Sequence, residues 1–352
     1  MERVKVGVIG AGMAWDKLHF PAYQRLQYKY SIEAICDKDL SKARSACERA
    51  GLGWDRAFES YQIMLNTVDV DAVDVMVPID ETFEVSKDVL AFGKHIVVEK
   101  PVSASVSGAK ELIKLSKKVK MLVAENYRYT EENRIMKDLM DGQAIGQVLS
   151  FTDVHVSDFE SDGQDPSKFA STIWRKHPDF KGGVFLDSAV HHFAGLRALF
   201  GDIDSVFAKG MESKADFAPY SVINAIVVFK SGFCGQYSCL LKAKETQAPF
   251  AGLRVYGTEG EIFLENHECG FVNYSNRKGE HQAIPYQPNE GYFNELINFY
   301  DAITQNTPIA STPEKGLSDM LMVFDILKSI ETGLPVSVAE EPAKRKRAAA
   351  AK

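Results

Sequence analysis

Asp187 and His191 stand four residues apart in the run Val184 to Phe200, whose apolar spacing predicts a helix. Four residues set both side chains on one helix face. A carboxylate beside an imidazole favours the charged ring and orients it, which suits proton transfer near neutral pH. The same pair also reads as a satisfied helix hydrogen bond, or as two ligands of a metal site completed from elsewhere. His155 and His177 have no ligand-like spacing, and no metal is expected. His192 points about 100° away around the helix and is not expected to share the site. Gly182-Gly183, just upstream, would let backbone approach a ligand. A second candidate is Lys100, in Glu99-Lys100-Pro101 at the end of an apolar strand. Ligands of open α/β sheets bind beyond the carboxyl ends of the strands. Lys100 therefore projects toward a bound cofactor, or is a surface lysine in a salt bridge. Pro101 holds it in extended backbone.

A strand, Val4 to Ile9, runs into Gly10-Ala11-Gly12 and then a predicted helix. The first glycine permits a tight turn and the second lets backbone come close to a pyrophosphate. The helix start offers N–H groups and a positive dipole end. Trp15 occupies the place of the usual third glycine. Asp37 closes the next strand, 25 residues after Gly12. Its carboxylate suits the ribose hydroxyls of an adenosine and repels a 2′-phosphate, favouring NAD over NADP, while Lys38 softens that choice. An ordinary strand-to-helix turn remains the bland reading of the glycines alone.

The elements that must position these groups change character along the chain. Strands at 4–9, 31–36, 72–77, 95–98 and 121–124 alternate with helices at 14–26, 41–50, 82–92 and 105–118. Near-continuous apolar strands between helices indicate a doubly wound parallel sheet, an α/β fold of the Rossmann type. Beyond about residue 125 the strands lengthen and alternate, as at 221–227, 234–241, 253–256 and 261–264, which fits antiparallel pairing with one covered face. Helices are expected at 131–140, 184–200, 292–304 and 314–332. The domains are expected at 1–125 and 126–338. The segment 339–352, with Lys344-Arg345-Lys346-Arg347, reads as a disordered tail or a basic patch.

A chain of 352 residues is long for one core, in keeping with two domains. The net charge of -7 argues against nucleic acid or an anionic membrane as partner. Five cysteines without a Cys-x-x-Cys pair suggest free thiols, and no apolar run approaches the roughly 20 residues of a membrane span. With no signal-peptide layout at the N-terminus, a cytoplasmic protein is expected.

Taken together, these residues resemble the Gfo/Idh/MocA family (glucose–fructose oxidoreductase, inositol dehydrogenase and rhizopine-catabolism proteins). The resemblance covers residues 1 to about 335. It is carried by Gly10-x-Gly12 with His19-Phe20-Pro21, Asp37, Ala91 to His95, Glu99-Lys100-Pro101, Asn126-Tyr127-Arg128-Tyr129, Trp174-Arg175, Gly182 to His191 and Gly257-Thr258-Glu259-Gly260. It implies a Rossmann domain followed by an α+β domain with a large, mostly antiparallel open sheet. It further implies NAD(P)-dependent oxidation or reduction of a polyhydroxylated small molecule, with Lys100, Asp187 and His191 catalytic. The expected cofactor contacts are Gly10, Gly12, Met13, Ala14, Asp37, Lys38, Val77, Pro78, Glu99, Lys100 and Asn126. Arg128, Tyr129, Trp174 and Arg175 are expected to line the substrate pocket, although Trp174 and Tyr129 also read as core residues. Val77-Pro78-Ile79 replaces a frequent Thr-Pro-Asn, and Ala189 and Ala194 depart from the family pattern. A homodimer or homotetramer is implied. Two other activities fit the scaffold: an enzyme that oxidises its substrate only transiently, and a non-catalytic NAD sensor.

Overall fold

The computed structural model describes residues 3–246 and 251–338. The basic segment at 344–347 lies outside the described residues. The chain divides into two compact units. One is formed by residues up to Asn126 together with Tyr292–Leu317, the other by Tyr127–Gly291 and the chain from Ser318.

The first unit holds strands β1 (Val4–Ile9), β2 (Tyr30–Cys36), β3 (Ala57–Phe58), β4 (Ala72–Val75), β5 (His95–Glu99) and β6 (Met121–Ala124). They form one parallel sheet in the order β3-β2-β1-β4-β5-β6. The strand order reverses at β1, so the carboxyl ends of β1 and β4 flank the crevice where such sheets bind ligands. Val8, Ile35, Val73, Val97 and Leu122 are fully buried, as strands covered on both faces require. Helices α1 (Phe20–Arg25), α2 (Leu40–Arg49), α3 (Tyr61–Thr67), α4 (Thr82–Ala91) and α5 (Val106–Leu115) connect them. Strand β3 and helix α3 are not foreseen in the sequence, because a two-residue, half-buried strand leaves no periodic pattern.

The expected single helix over 14–26 opens instead as a π-helix, Trp15–His19, that continues into α1. Pro21 has no N–H to donate in a regular α ladder, and the Phe20 N–H reaches back five residues to the Trp15 carbonyl. Trp15 is fully buried, its ring 5.0 Å from Phe20 and 6.1 Å from Tyr23.

The second unit holds α6 (Glu131–Asp141), β7 (Val148–Val156), α7 (Phe159–Asp162), α8 (Ile173–Lys176) and α9 (Val184–Phe200). These are followed by β8 (Ile203–Glu212), β9 (Tyr220–Phe229), β10 (Cys234–Leu240), β11 (Gly252–Gly257), β12 (Gly260–Leu264), β13 (Phe271–Asn276) and β14 (His281–Pro285). With β15 (Val336–Ser337) they make a nine-stranded sheet, β14-β13-β12-β11-β7-β10-β9-β8-β15. Every neighbouring pair is antiparallel except β7 and β10. Along β9 the buried residues Ile223, Ala225, Val227 and Phe229 alternate with outward ones. Helix α9 lies on this face, with Phe193 4.8 Å from Tyr237 and Phe200 5.2 Å from Phe151.

Between these segments the chain returns to the first unit through α10 (Glu290–Gln305), and then enters α11 (Pro313–Thr332). The Tyr30 hydroxyl donates to the Leu296 carbonyl at 2.6 Å and the Val123 N–H to that of Ser311 at 3.0 Å. Sequence order alone assigns 292–317 to the second domain; packing assigns it to the first. Among the described residues, no helix is long and apolar enough to cross a membrane.

Candidate active site

The turn after β1 is dictated by close backbone approach. Gly10 has φ +101°, and a Cβ there would lie 2.2 Å from the Met76 carbonyl oxygen at the end of β4. Only glycine tolerates both conditions. A Cβ at Gly12 would meet nothing within 4 Å, so the space over the turn is open. Met13 and Ala14 begin the helical segment and are half-buried. Asp37 is tied into the turn: its Oδ2 accepts the Ala11 N–H at 2.8 Å and its Oδ1 the Asp39 N–H at 2.9 Å. Lys38, mostly exposed, pairs with Glu81 at 2.6 Å. Val77 and Pro78 follow β4 half-buried, and the Pro78 carbonyl accepts the Thr82 hydroxyl at 3.2 Å. Asn126, just past β6, is buried, and its Oδ1 has no hydrogen-bond partner among the described residues. The open turn, a carboxylate at the end of β2 and this orphaned amide oxygen fit a dinucleotide.

Behind the end of β5 lies a charged cluster that motif reading quotes only in part. His19 is buried between two carboxylates, with Nδ1 2.7 Å from Asp74 Oδ2 and Nε2 2.9 Å from Glu99 Oε1. Burial alone would depress the His19 pKa, but attraction and hydrogen bonds from Asp74 and Glu99 outweigh it and hold the imidazole well above its ordinary value. The other Glu99 oxygen accepts the backbone N–H of Lys100 at 3.1 Å. Lys100 itself is half-buried, and its peptide bond to Pro101 is cis. Glu295, on α10, is fully buried nearby. Burial pushes its carboxyl well above the ordinary range; His19 offsets part of this, while Glu99, Glu125 and Asp74 add to it.

In the second unit Asp187 is buried on α9 and His191 half-buried one turn later. Arg175 Nε donates to Asp187 Oδ2 at 2.7 Å, and the same guanidinium lies 4.0 Å over the Trp174 ring. Arg175 is thus part of the support of Asp187. Before α9, Gly183 has a packing duty. Gly183 has φ +53°, a Cβ on it would lie 2.2 Å from the Phe217 carbonyl oxygen, and that oxygen accepts the Val184 N–H at 2.8 Å. Arg128 is drawn into a buried ion pair with Asp319. Tyr129 is half-buried.

The ring that meets His191 is Tyr127, stacked at 4.8 Å and 26°. His267, from the loop after β12, approaches the same Tyr127 ring at 3.9 Å, and its Nδ1 is 2.6 Å from Glu132 Oε1. His267 and Glu132 belong to no motif, and nothing in their spacing reveals them. His192 faces away from this group, stacking on His155 at 3.4 Å and bonding the Tyr237 hydroxyl at 2.8 Å. Among the described residues no group of three or more His, Cys, Asp or Glu is placed to hold a metal ion.

Comparison with known proteins agrees with both units. The model of the GFO_IDH_MocA oxidoreductase family, NAD-binding Rossmann fold, matches residues 4–127, and the family's C-terminal domain matches residues 133–263. A 1,5-anhydro-D-fructose reductase of Ensifer adhaerens is 25% identical over 311 residues, covering 86% of this chain and 90% of its own. An oxidoreductase of Thermotoga maritima is similar in structure, with a TM-score of 0.83 and 26% identity over 96% of this chain and 99% of that one. A levoglucosan dehydrogenase solved with NADH has the same fold, with a TM-score of 0.83 and 20% identity over 96% of this chain and 100% of its own. With its Gly10–Gly12 turn, the Asp37 strand end and both family domains in order, this chain belongs to the Gfo/Idh/MocA family of NAD-dependent oxidoreductases.

Proposed function

We propose that the protein transfers a hydride between NAD and a secondary hydroxyl or ketone of a sugar, inositol or related polyol. The observation that carries this reading is the group on the second unit: Asp187 held by Arg175 over the Trp174 ring, with His191 one helical turn on. Planar rings suit sugar faces, and fixed charged groups suit hydroxyls. The similar proteins point the same way, since 1,5-anhydro-D-fructose and levoglucosan are both anhydro sugars.

When bound, the nicotinamide supplies the hydride chemistry. The Gly10–Gly12 turn takes the pyrophosphate. Asp37, whose carboxylate has lone pairs beyond those given to Ala11 and Asp39, takes the adenosine ribose hydroxyls. Asn126, Glu99 and Lys100 serve the nicotinamide end. During oxidation His191 removes the hydroxyl proton, Asp187 orients it, and the Lys100 ammonium stabilises the developing alkoxide. The roles reverse in reduction. NAD is the preferred cofactor, with NADP admitted through Lys38.

A cytoplasmic setting accords with five free cysteines. A second copy of the chain is the proposed cover for the outer face of the large sheet, where Phe207, Ile226 and Tyr256 are exposed, giving a dimer or tetramer measurable by light scattering.

The functional test incubates the protein with NAD and a panel of sugars, inositols and anhydro sugars while following NADH absorbance. Accumulating NADH is the expected result. Product without NADH would mean transient oxidation, and tight cofactor binding without turnover would mean a sensor; either outcome overturns the proposal.

A further inference from the structure

We propose that His267, held by Glu132, is a second substrate-binding imidazole, hydrogen-bonded to a polyol hydroxyl other than the one oxidised. The assignment rests on the functional reading above and adds a residue pair to it.

Glu132 is 2% exposed, in the first turn of α6. A carboxylate so placed is costly unless compensated. The positive end of the helix and the His267 imidazole 2.6 Å away both compensate it. His267 is 135 residues distant in sequence, so the pair exists only because the loop after β12 meets α6. Apolar side chains of similar volume often replace a buried ion pair without loss of stability. What the pair provides instead is an imidazole held in one orientation. With Nδ1 paired to the carboxylate, Nε2 is the ring's second hydrogen-bonding atom, and a hydroxyl group, which both donates and accepts, can pair with it. The His267 side chain is 25% exposed, so part of the ring remains open to a small molecule.

Its position ties it to the reacting group. Tyr127 touches both imidazoles, His267 at 3.9 Å and His191 at 4.8 Å between centroids. Asn133 fixes that residue by donating from Nδ2 to the Tyr127 carbonyl at 2.8 Å. Because both imidazoles pack on the Tyr127 ring, the assignment has one polyol bound beside that ring meet both. His191 addresses the carbinol being oxidised and His267 a further hydroxyl. Glu132 acts through His267 and is a positioning residue.

The test compares wild type, His267→Ala and the double variant His267→Leu/Glu132→Gln, which leaves no unpaired carboxylate. Substrates are whichever panel members the wild type oxidises, each with its monodeoxy analogues, and NADH binding is followed by fluorescence. The expected result is a KM about tenfold higher in both variants, with a much smaller change in kcat and NADH affinity retained. The wild type should discriminate against one deoxy analogue, and the variants should lose that discrimination. Unchanged KM and unchanged discrimination in an active enzyme would overturn the assignment alone. A wild type that oxidises none of the panel would overturn the functional reading, and this assignment with it.

Discussion

The Gly10–Gly12 turn of the first unit and the polar ring cluster of the second are built on opposite principles. Around Gly10 the polar groups are those of the backbone, and its geometry is enforced by what will not fit: a Cβ 2.2 Å from the Met76 oxygen. Around His191 the polar groups are side chains that converge from four places: Tyr127 after β6, Glu132 on α6, His191 on α9 and His267 after β12. Backbone sites leave a signature of glycines at fixed spacing, because few residues satisfy the steric demand. Side-chain sites leave almost none, since many sequences place an imidazole at a given point.

Substitutions can break this contrast, beginning with the largest effect. Lys100→Met should cut turnover about a thousandfold, within the usual range for loss of a proton-handling group, while NADH affinity by fluorescence quenching stays near wild type. Retained turnover would remove Lys100 from the chemistry. Gly10→Ala should destabilise the protein by roughly 3 kcal/mol or more, since it combines positive φ with a backbone clash. Thermal unfolding measures this, and a variant as stable as wild type would show that the turn is not sterically dictated.

The buried charges behind the turn give a pH-dependent prediction. The folded-state pKa of His19 is raised, so its stabilisation is complete below about pH 6.5 and is lost as pH rises through the folded value. Glu295 is also raised: the fold favours its neutral form, and stability falls as pH climbs from the unfolded value toward the folded one. Both groups therefore weaken the fold toward alkaline pH. Glu295→Gln should raise the unfolding temperature by a few degrees at pH 8, and the gap should close toward pH 5. A variant less stable than wild type at pH 8 would mean that the carboxylate is needed ionised. The smallest effect is expected at Asp37. Asp37→Ser should move the NAD to NADP preference about tenfold toward NADP, measured as the ratio of dissociation constants.

Much of the first unit is legible from local pattern. Continuous apolar strands, the strand-ending Asp37 and Glu99-Lys100-Pro101 lie where the parallel sheet puts them, because each is set by its own few residues. The short β3 and the widened turn at Trp15 are not, since one has no period and the other depends on Pro21 acting within a packed helix. In the second unit the helix bearing Asp187 and His191 is read with its full extent, Val184–Phe200, while the partners of those residues are not.

The sequence by itself determined the order of the two sheets, the place of the glycine turn after β1 and the helix that carries Asp187 and His191. All of these follow from short-range periodicity and steric exclusion. Tertiary structure alone decided that Arg128 pairs with Asp319, that Glu295 joins the His19 cluster, and that Tyr127 brings His267 to His191. The reason is physical: a contact between residues more than a hundred positions apart is chosen by the closing of the whole chain, and no local preference encodes it.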